Sequence, residues 1–507
     1  MERIFRSNES PHLSPAAISG SDFSAVRSVT DMGSSAASPS EPKRIDQRKG
    51  RPEKTSYIAL IAAVAALGGL LFGFDTGVIA GALLFIVPDF HLGPAEQGLV
   101  VSAVTFGALF GALVAGTSSD TMGRRWTNIV AGLSFVAGAV FSAIAPNVDV
   151  LIASRVLIGL AIGLTSVAAP MYIAELAHAR SRGKLVSLFQ LAITIGILVS
   201  YIVDRALAPA HAWRWMLGIA FIPGALLVLG MIPLPESPRW LLKTGAEKAA
   251  RKALSLVRSA DEIDAEVQEI QDDIAHNQPA AWTELLMPEL RPALLVGVGL
   301  AVFQQVTGIN TIIYYAPEIF QKAGLDRATT ALAATIGIGV INTLSTLIAI
   351  WLVDRIGRKP LLLVGLAGMV VTLVGLGAAQ RFGSTLGINP HWLAPITVGC
   401  IGLYIVCFAF SLGPVVWLMI SEIFPNRARA RAAAISTASN WLANFLVSLS
   451  FPMLLVFLGP SLCFLYGTMG VAAFIFIVRY VPETKGQSLE EITCQWRSKR
   501  LGVLVHH

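Results

Sequence analysis

Long apolar stretches separated by short polar ones dominate this chain. Apolar runs fall at about 57–86, 97–116, 127–146, 149–174, 185–204, 213–234, 292–316, 328–353, 360–379, 393–421, 433–457 and 462–480. Each is near or above the ~20 residues a helix needs to cross a bilayer, and far longer than a strand. The pattern predicts twelve membrane-spanning helices in two groups of six. Between the groups, Ile263, Val267, Ile270 and Ile274 recur at helical spacing with acids between them, as on a surface amphipathic helix. The first residues are polar and rich in Ser, Pro and Ala, without the apolar core of a signal peptide. The expected organisation is a disordered tail (1–56), a six-helix bundle (57–234), a helical linker (235–291), a second six-helix bundle (292–480) and a C-terminal tail (481–507). The fold class is an all-α membrane protein of two pseudo-symmetric bundles.

Composition agrees. Of 507 residues, 54% are apolar and only 14% charged, against about a quarter charged in soluble domains. That balance excludes a soluble enzyme, a nucleic-acid binder and a disulfide scaffold. Cys400, Cys407, Cys463 and Cys494 show no metal or redox spacing. No nucleophile–base arrangement or phosphate loop stands out, so neither catalysis, nor a metal or other cofactor, nor ATP is expected. The net charge of +6 is explained by position: 32 of the 38 Lys and Arg lie in the tails, the linker and the connections after even-numbered runs, counting Arg479 at the end of the last run with the tail it borders. The positive-inside rule then places both termini and the linker in the cytoplasm of a multi-pass protein of the cell membrane.

The halves repeat. Asp120-x-x-Gly123-Arg124-Arg125 follows the second run, and Asp354-x-x-Gly357-Arg358-Lys359 follows the eighth. Glu175 and Arg182 return as Glu422 and Arg429, and Pro235-Glu236-Ser237 as Pro482-Glu483-Thr484, both shifted by 247 positions. Duplicated six-helix halves describe a transporter with its substrate site between them near mid-membrane. Asp120, Arg124, Arg125, Glu175, Arg182, Glu236, Arg239, Asp354, Arg358, Glu422 and Arg429 cluster at the basic ends of the runs. They are read as charge pairs that gate the pathway; charges that merely set topology are the plainer alternative. An exposed pair is worth only about 0–1 kcal/mol, but a gate needs only a few kcal/mol of bias.

Two ionisable residues lie deep inside apolar runs, Asp75 in the first and Arg155 in the fourth. Each costs about 2.5–3.5 kcal/mol at a helix centre, so such groups mark pathways or relays. They suit either a permanent ion pair or a proton-coupling pair. Gln304, Gln305 and Asn310 in the seventh run are neutral groups that both donate and accept, as sugar hydroxyls require, or that join helices to each other. Their spacing does not share one face of a straight helix, so a break at Gly308 is expected to turn Asn310 inward.

The motifs GGLLFGFDTGVIAGA (68–82), DTMGRR (120–125), SRVLIGLAIGL (154–164), APMYIAELAHARSRGKLVSLFQ (169–190), PESPRWL (235–241), FQQVTGINTIIYYAP (303–317), DRIGRKP (354–360), GPVVWLMISEIFP (413–425), SNWLAN (439–444) and PETKG (482–486) resemble those of sugar porters of the major facilitator superfamily. The chain is especially similar to bacterial sugar–proton symporters. The resemblance implies that Asp75 is the proton site and that Arg155 tunes it. Facilitators of the family commonly carry a neutral residue in place of Asp75. It also implies sugar contacts for Gln190, Gln304, Gln305, Asn310, Trp417 and Asn440, with Tyr314 and Asn342 as further ones. The charged clusters of the family lock its outward-open state. Xylose-preferring porters tend to carry Gln where this chain has Asn440 and Ile197, and Ala430 stands where relatives often have Gly. The expected function is proton-coupled import of a monosaccharide, glucose or galactose rather than xylose, with inositol also open. The partners are the sugar, the proton and the bilayer, with no nucleic acid, and a monomer is expected to suffice. The alternatives are a passive facilitator and a transporter-like sugar sensor signalling through its N-terminal tail.

Overall fold

The computed structural model describes residues 55–178, 182–276, 284–285, 287–288 and 290–485. Of the expected tails, 1–56 and 481–507, residues 1–54 and 486–507 lie outside the described residues, and 55–56 begin α1. The secondary structure of the described residues is helical: α1 (Thr55–Phe90), α2 (Pro94–Met122), α3 (Arg124–Ala143), α4 (Val148–Leu176), α5 (Arg182–Leu207), α6 (Trp213–Gly218), α7 (Phe221–Met231), α8 (Pro238–Lys243), α9 (Glu247–Val257), α10 (Ile263–His276), α11 (Arg291–Val306), α12 (Ile309–Lys322), α13 (Ala328–Ile356), α14 (Arg358–Phe382), α15 (Leu393–Ala409), α16 (Leu412–Glu422), α17 (Asn426–Leu458) and α18 (Leu462–Tyr480).

Eleven stretches among the described residues are long and apolar enough to cross a membrane. The last, Arg431–Tyr480, is 50 residues long and folds into α17 and α18 around a turn at Gly459–Ser461. The twelve apolar runs thus occupy eleven stretches. Three runs are broken, each for a local reason. Pro223 and Pro414 sit at the third positions of α7 and α16, and neither can donate to the carbonyl four residues back, so the helix interrupts there. The seventh run breaks at Gly308, whose φ of +92° is left-handed and suits a residue without a Cβ. The join between the third and fourth runs is set by Asn147, whose side chain accepts from the Val150 amide at 3.0 Å and caps α4.

Helix association in lipid depends on close packing by small residues, because lipid tails are as apolar as leucine. Gly69, Gly73, Gly77 and Gly81 recur every fourth residue along α1 and lie against α5; a Cβ on Gly73 would stand 1.8 Å from the Ile193 carbonyl oxygen. Gly107 and Gly111 of α2 meet Gly159 and Gly163 of α4 in the same manner. Outside these seams, large apolar side chains point outward: Phe457 is 85% exposed and Val371 69%. A water-soluble monomer does not carry so extended an apolar surface; the surface is a lipid-facing one.

The halves meet along α1 with α12, α5 with α13, and α2 with α17. Far from the charged clusters, Gln97 of α2 donates to Glu318 of α12 (2.9 Å), and the Tyr201 hydroxyl of α5 donates to the Ile313 carbonyl (3.1 Å). The linker forms α8, α9 and α10, and Val267 is the buried residue of the expected amphipathic stripe.

Candidate functional site

Four carboxamides converge in the second half. Asn440 of α17 donates to Gln304 (2.7 Å) and to the Ala301 carbonyl (2.9 Å). Gln305 donates to Asn440 (3.2 Å), and Asn310, beyond the Gly308 break, donates to Gln305 (2.7 Å). Gln304 also donates to the Leu412 carbonyl at the start of α16 (2.7 Å). The break does what the spacing required, bringing Asn310 back to residues one and a half turns earlier. The amides satisfy one another, as buried polar groups must, yet each retains donor or acceptor capacity that a hydroxyl pair can use.

Asp75 of α1 and Arg155 of α4 are both buried and 3.5 Å apart. The Arg155 Nε donates to the Val100 carbonyl of α2 (2.8 Å), so the pair ties three helices of the first half. Tyr314 of α12 lies near Asn444 and Thr76, the latter next to Asp75 in the chain, and within electrostatic reach of Asp75 and Arg155. It lies four residues after Asn310 on α12, as Asn444 lies four after Asn440 on α17. Trp417, on α16, is one-third exposed. Gln190 on α5 is half-buried and Asn342 on α13 is buried; neither side chain joins the carboxamide network.

The repeated motifs build the same network twice. In the first half, Arg124 pairs with Glu175 (3.0 Å) and Asp120 (3.3 Å), Glu236 accepts the amides of Arg124 (2.9 Å) and Arg125, and Ser237 donates to Glu175. In the second, Arg358 pairs with Glu422 (2.9 Å), Glu483 accepts the amides of Arg358 and Lys359, both at 3.0 Å, and Thr484 donates to Glu422 (2.6 Å). Glu236 and Glu483 sit at the N-termini of α3 and α14, where free amides and the helix dipole favour an anion. Gly123 (φ +90°) leaves the space, since a Cβ there would come within 2.3 Å of Glu236.

Some expected pairs form differently. Arg239 pairs with Asp273 of α10, not with Glu236, because the amides of α3 already occupy that carboxylate. Glu422 is held by Arg358, while Arg429 donates to the Phe424 carbonyl (3.2 Å). Asp120 also takes Lys243 (2.9 Å). The Arg125 guanidinium donates to the Met231 and Ile232 carbonyls. The side chains of Arg182 and Asp354 lie outside the described residues.

Burial pushes the Glu483 carboxyl up, but amide donors from Lys485, Arg358, Lys359 and Thr484 outweigh it and hold it below the usual carboxylate range. A carboxyl that titrates lower folded than unfolded stabilises the fold above its unfolded value and stops doing so as pH falls through its folded one. Glu483→Gln is therefore expected to lower the thermal midpoint at pH 7, with the difference from the parent shrinking below about pH 4. Melting curves across pH test this; equal midpoints at pH 7 would count against it.

Sequence reasoning missed several residues. It singled out Asp75 and Arg155 as the deep ionisable groups, but Asp204 is fully buried as well. Asp204 is the last residue of the fifth run, at its edge rather than deep inside it. It accepts the Gly81 amide (3.2 Å), a neighbour set by helix packing that spacing along the chain does not reveal. Trp441 is buried against Phe72 across the halves, rings 5.3 Å apart, and its indole N–H has no partner among the described residues. Its place in SNWLAN, next to Asn440, was the available signal. Arg258 of the linker, buried, grips Glu266 and the Leu176 carbonyl at the end of α4 (3.0 Å); nothing in the local sequence marked it.

The profile of the family described as "Sugar (and other) transporter" matches residues 61–496. The glucose transporter GlcP of Staphylococcus epidermidis is 43% identical over 442 residues, covering 87% of this chain and 97% of that protein. The galactose-proton symporter of Escherichia coli K12 is 42% identical over 451 residues, 88% of this chain and 96% of that one. Among solved structures, that of the major facilitator superfamily proton:xylose symporter XylE bound to 6-bromo-6-deoxy-D-glucose superposes with a TM-score of 0.74 at 36% identity, covering 87% of this chain and all of XylE.

Proposed function

Because the chain belongs to the sugar (and other) transporter family and has the major facilitator fold, we propose that it imports a monosaccharide, glucose or galactose, together with a proton by alternating access. The family is one of transporters, not of enzymes. The observation that carries the proposal is the buried Asp75–Arg155 pair, in a chain whose other half gathers the carboxamides Gln304, Gln305, Asn310 and Asn440.

Both termini and the linker 235–291 face the cytoplasm, and the bundles 57–234 and 292–480 rock about the site between them. Gln304, Gln305, Asn310 and Asn440 exchange bonds among themselves for bonds to sugar hydroxyls; Trp417 offers its ring to the C–H face of the sugar, and Gln190, Tyr314 and Asn342 complete the enclosure. Protonation of Asp75 from outside loosens its hold on Arg155, and the halves rock only when sugar is also bound. The duplicated networks around Arg124 and Arg358, with Asp120, Arg125, Glu175, Arg182, Glu236, Arg239, Asp354, Glu422 and Arg429, bias the cytoplasmic gate. One copy of the chain suffices. The sugars carried by the relatives differ, so the hexose preference rests on Asn440 and Ile197.

Uptake of labelled D-glucose and D-galactose into vesicles of purified protein tests the proposal. An acid-outside gradient is expected to drive either sugar uphill, and a protonophore to abolish the accumulation. Downhill uptake alone would make the protein a passive facilitator.

A further inference from the structure

The break between α11 and α12 is held from outside both helices. Ending α11 at Val306 takes its last carbonyls out of the helical ladder, and the Thr307 carbonyl is claimed by the Tyr404 hydroxyl of α15, 97 positions away in sequence, at 2.9 Å. Tyr404 is 1% exposed and Thr307 fully buried, so no solvent replaces that bond. The Thr311 hydroxyl takes the Gly308 carbonyl (2.7 Å), and the Tyr466 ring lies 3.0 Å from where a Cβ on Gly308 would stand. Gln304 and Gln305 precede the joint, Asn310 and Tyr314 follow it, and the Asn310–Gln305 bond spans it. The angle at the joint therefore decides whether Asn310 joins the other three carboxamides.

We propose that Tyr404 is a positioning residue for substrate binding: its hydroxyl, by holding the Thr307 carbonyl, fixes the α11–α12 joint so that Asn310 meets Gln305, which in turn meets Asn440. This rests on reading those carboxamides as the sugar contacts. Tyr404 touches no substrate; it acts through Asn310.

Tyr404→Phe keeps the ring and removes the bond. Two readouts on the full-length protein test it. Hydrogen exchange of residues 303–312 without sugar is expected to quicken, and KM for D-glucose or D-galactose exchange in vesicles to rise about three- to tenfold, the range for one hydrogen bond between membrane helices, with Vmax unchanged and the melting temperature slightly lowered by the buried carbonyl left unpaired. Because the effect passes through Asn310, Tyr404→Phe and Asn310→Ala are expected to be non-additive in sugar binding. Unchanged exchange, unchanged KM, or additive effects would overturn the proposal. If Tyr404→Phe does not fold, Thr311→Val, which drops the other hydroxyl at the joint, must quicken exchange at 303–312 or the proposal fails. A parent protein that binds neither sugar would instead overturn the reading of the carboxamides, and the exchange measurement would still decide the role of Tyr404.

Discussion

Asp75→Asn is expected to abolish uphill sugar accumulation while sparing exchange of sugar for sugar. The substitution keeps size and hydrogen-bonding capacity but removes the charge that answers Arg155 at 3.5 Å. A membrane potential of 100 mV supplies about 2.3 kcal/mol per charge moved, equivalent to ~50-fold accumulation for each proton carried with sugar. Without a carboxylate to load, that energy has no entry point, so accumulation should fall to unity. Exchange needs only sugar-bound rocking and should continue. Two measurements in one vesicle preparation separate the cases, gradient-driven uptake and counterflow. Undiminished uphill uptake by the variant would remove Asp75 from the coupling step. Loss of both activities would assign it a structural role, as the fastener between α1 and α4.

Gly73→Ala is expected to cost more than any conservative change in the polar site. The added methyl would stand 1.8 Å from the Ile193 carbonyl oxygen and 2.7 Å from its carbon. Backbone cannot swing aside as a flexible side chain can, so α1 and α5 must separate. Overpacking of this kind costs about 1–3 kcal/mol, occasionally more. Here the separation would also carry Gly69, Gly77 and Gly81 away from the same seam. The expected result is a large drop in folded protein recovered from membranes and in the melting temperature of what remains. Gly116, where a Cβ meets nothing within 4 Å, is the control: Gly116→Ala should fold like the parent.

Much of this arrangement was legible in the sequence, for definite physical reasons. Apolar runs of membrane length leave little choice but helices, because backbone groups in lipid must bond within their own segment. The Gly308 break was readable because Gln304, Gln305 and Asn310 cannot share one face of an unbroken helix. Asp75 and Arg155 stood out because charge inside an apolar run is costly. What escaped was whatever depends on which helix lies beside which. Asp204 sits at a run's edge, and only the seam with α1 buries it. Glu236 was expected to meet Arg239 three residues on, yet it meets the amides of Arg124 and Arg125, more than a hundred positions back. Proximity in the chain misled where a helix terminus offered the better partner.

That long reach has a bearing on how the protein is made. Each charged network is closed by the last member of its own half, Glu236 for the loop at Gly123 and Glu483 for the loop at Gly357. A ribosome delivers Glu236 before any residue of α11 exists, and chains organise from the N-terminus as they emerge. The first network can therefore be knotted shut during synthesis, with α1 to α7 in place and nothing of the second half to compete. Arg358 leaves the ribosome long after Glu236 and 125 positions before Glu483, the carboxylate that its amide meets in the finished fold. The two sets of charges are duplicates in sequence, but their members are delivered in separate halves of synthesis.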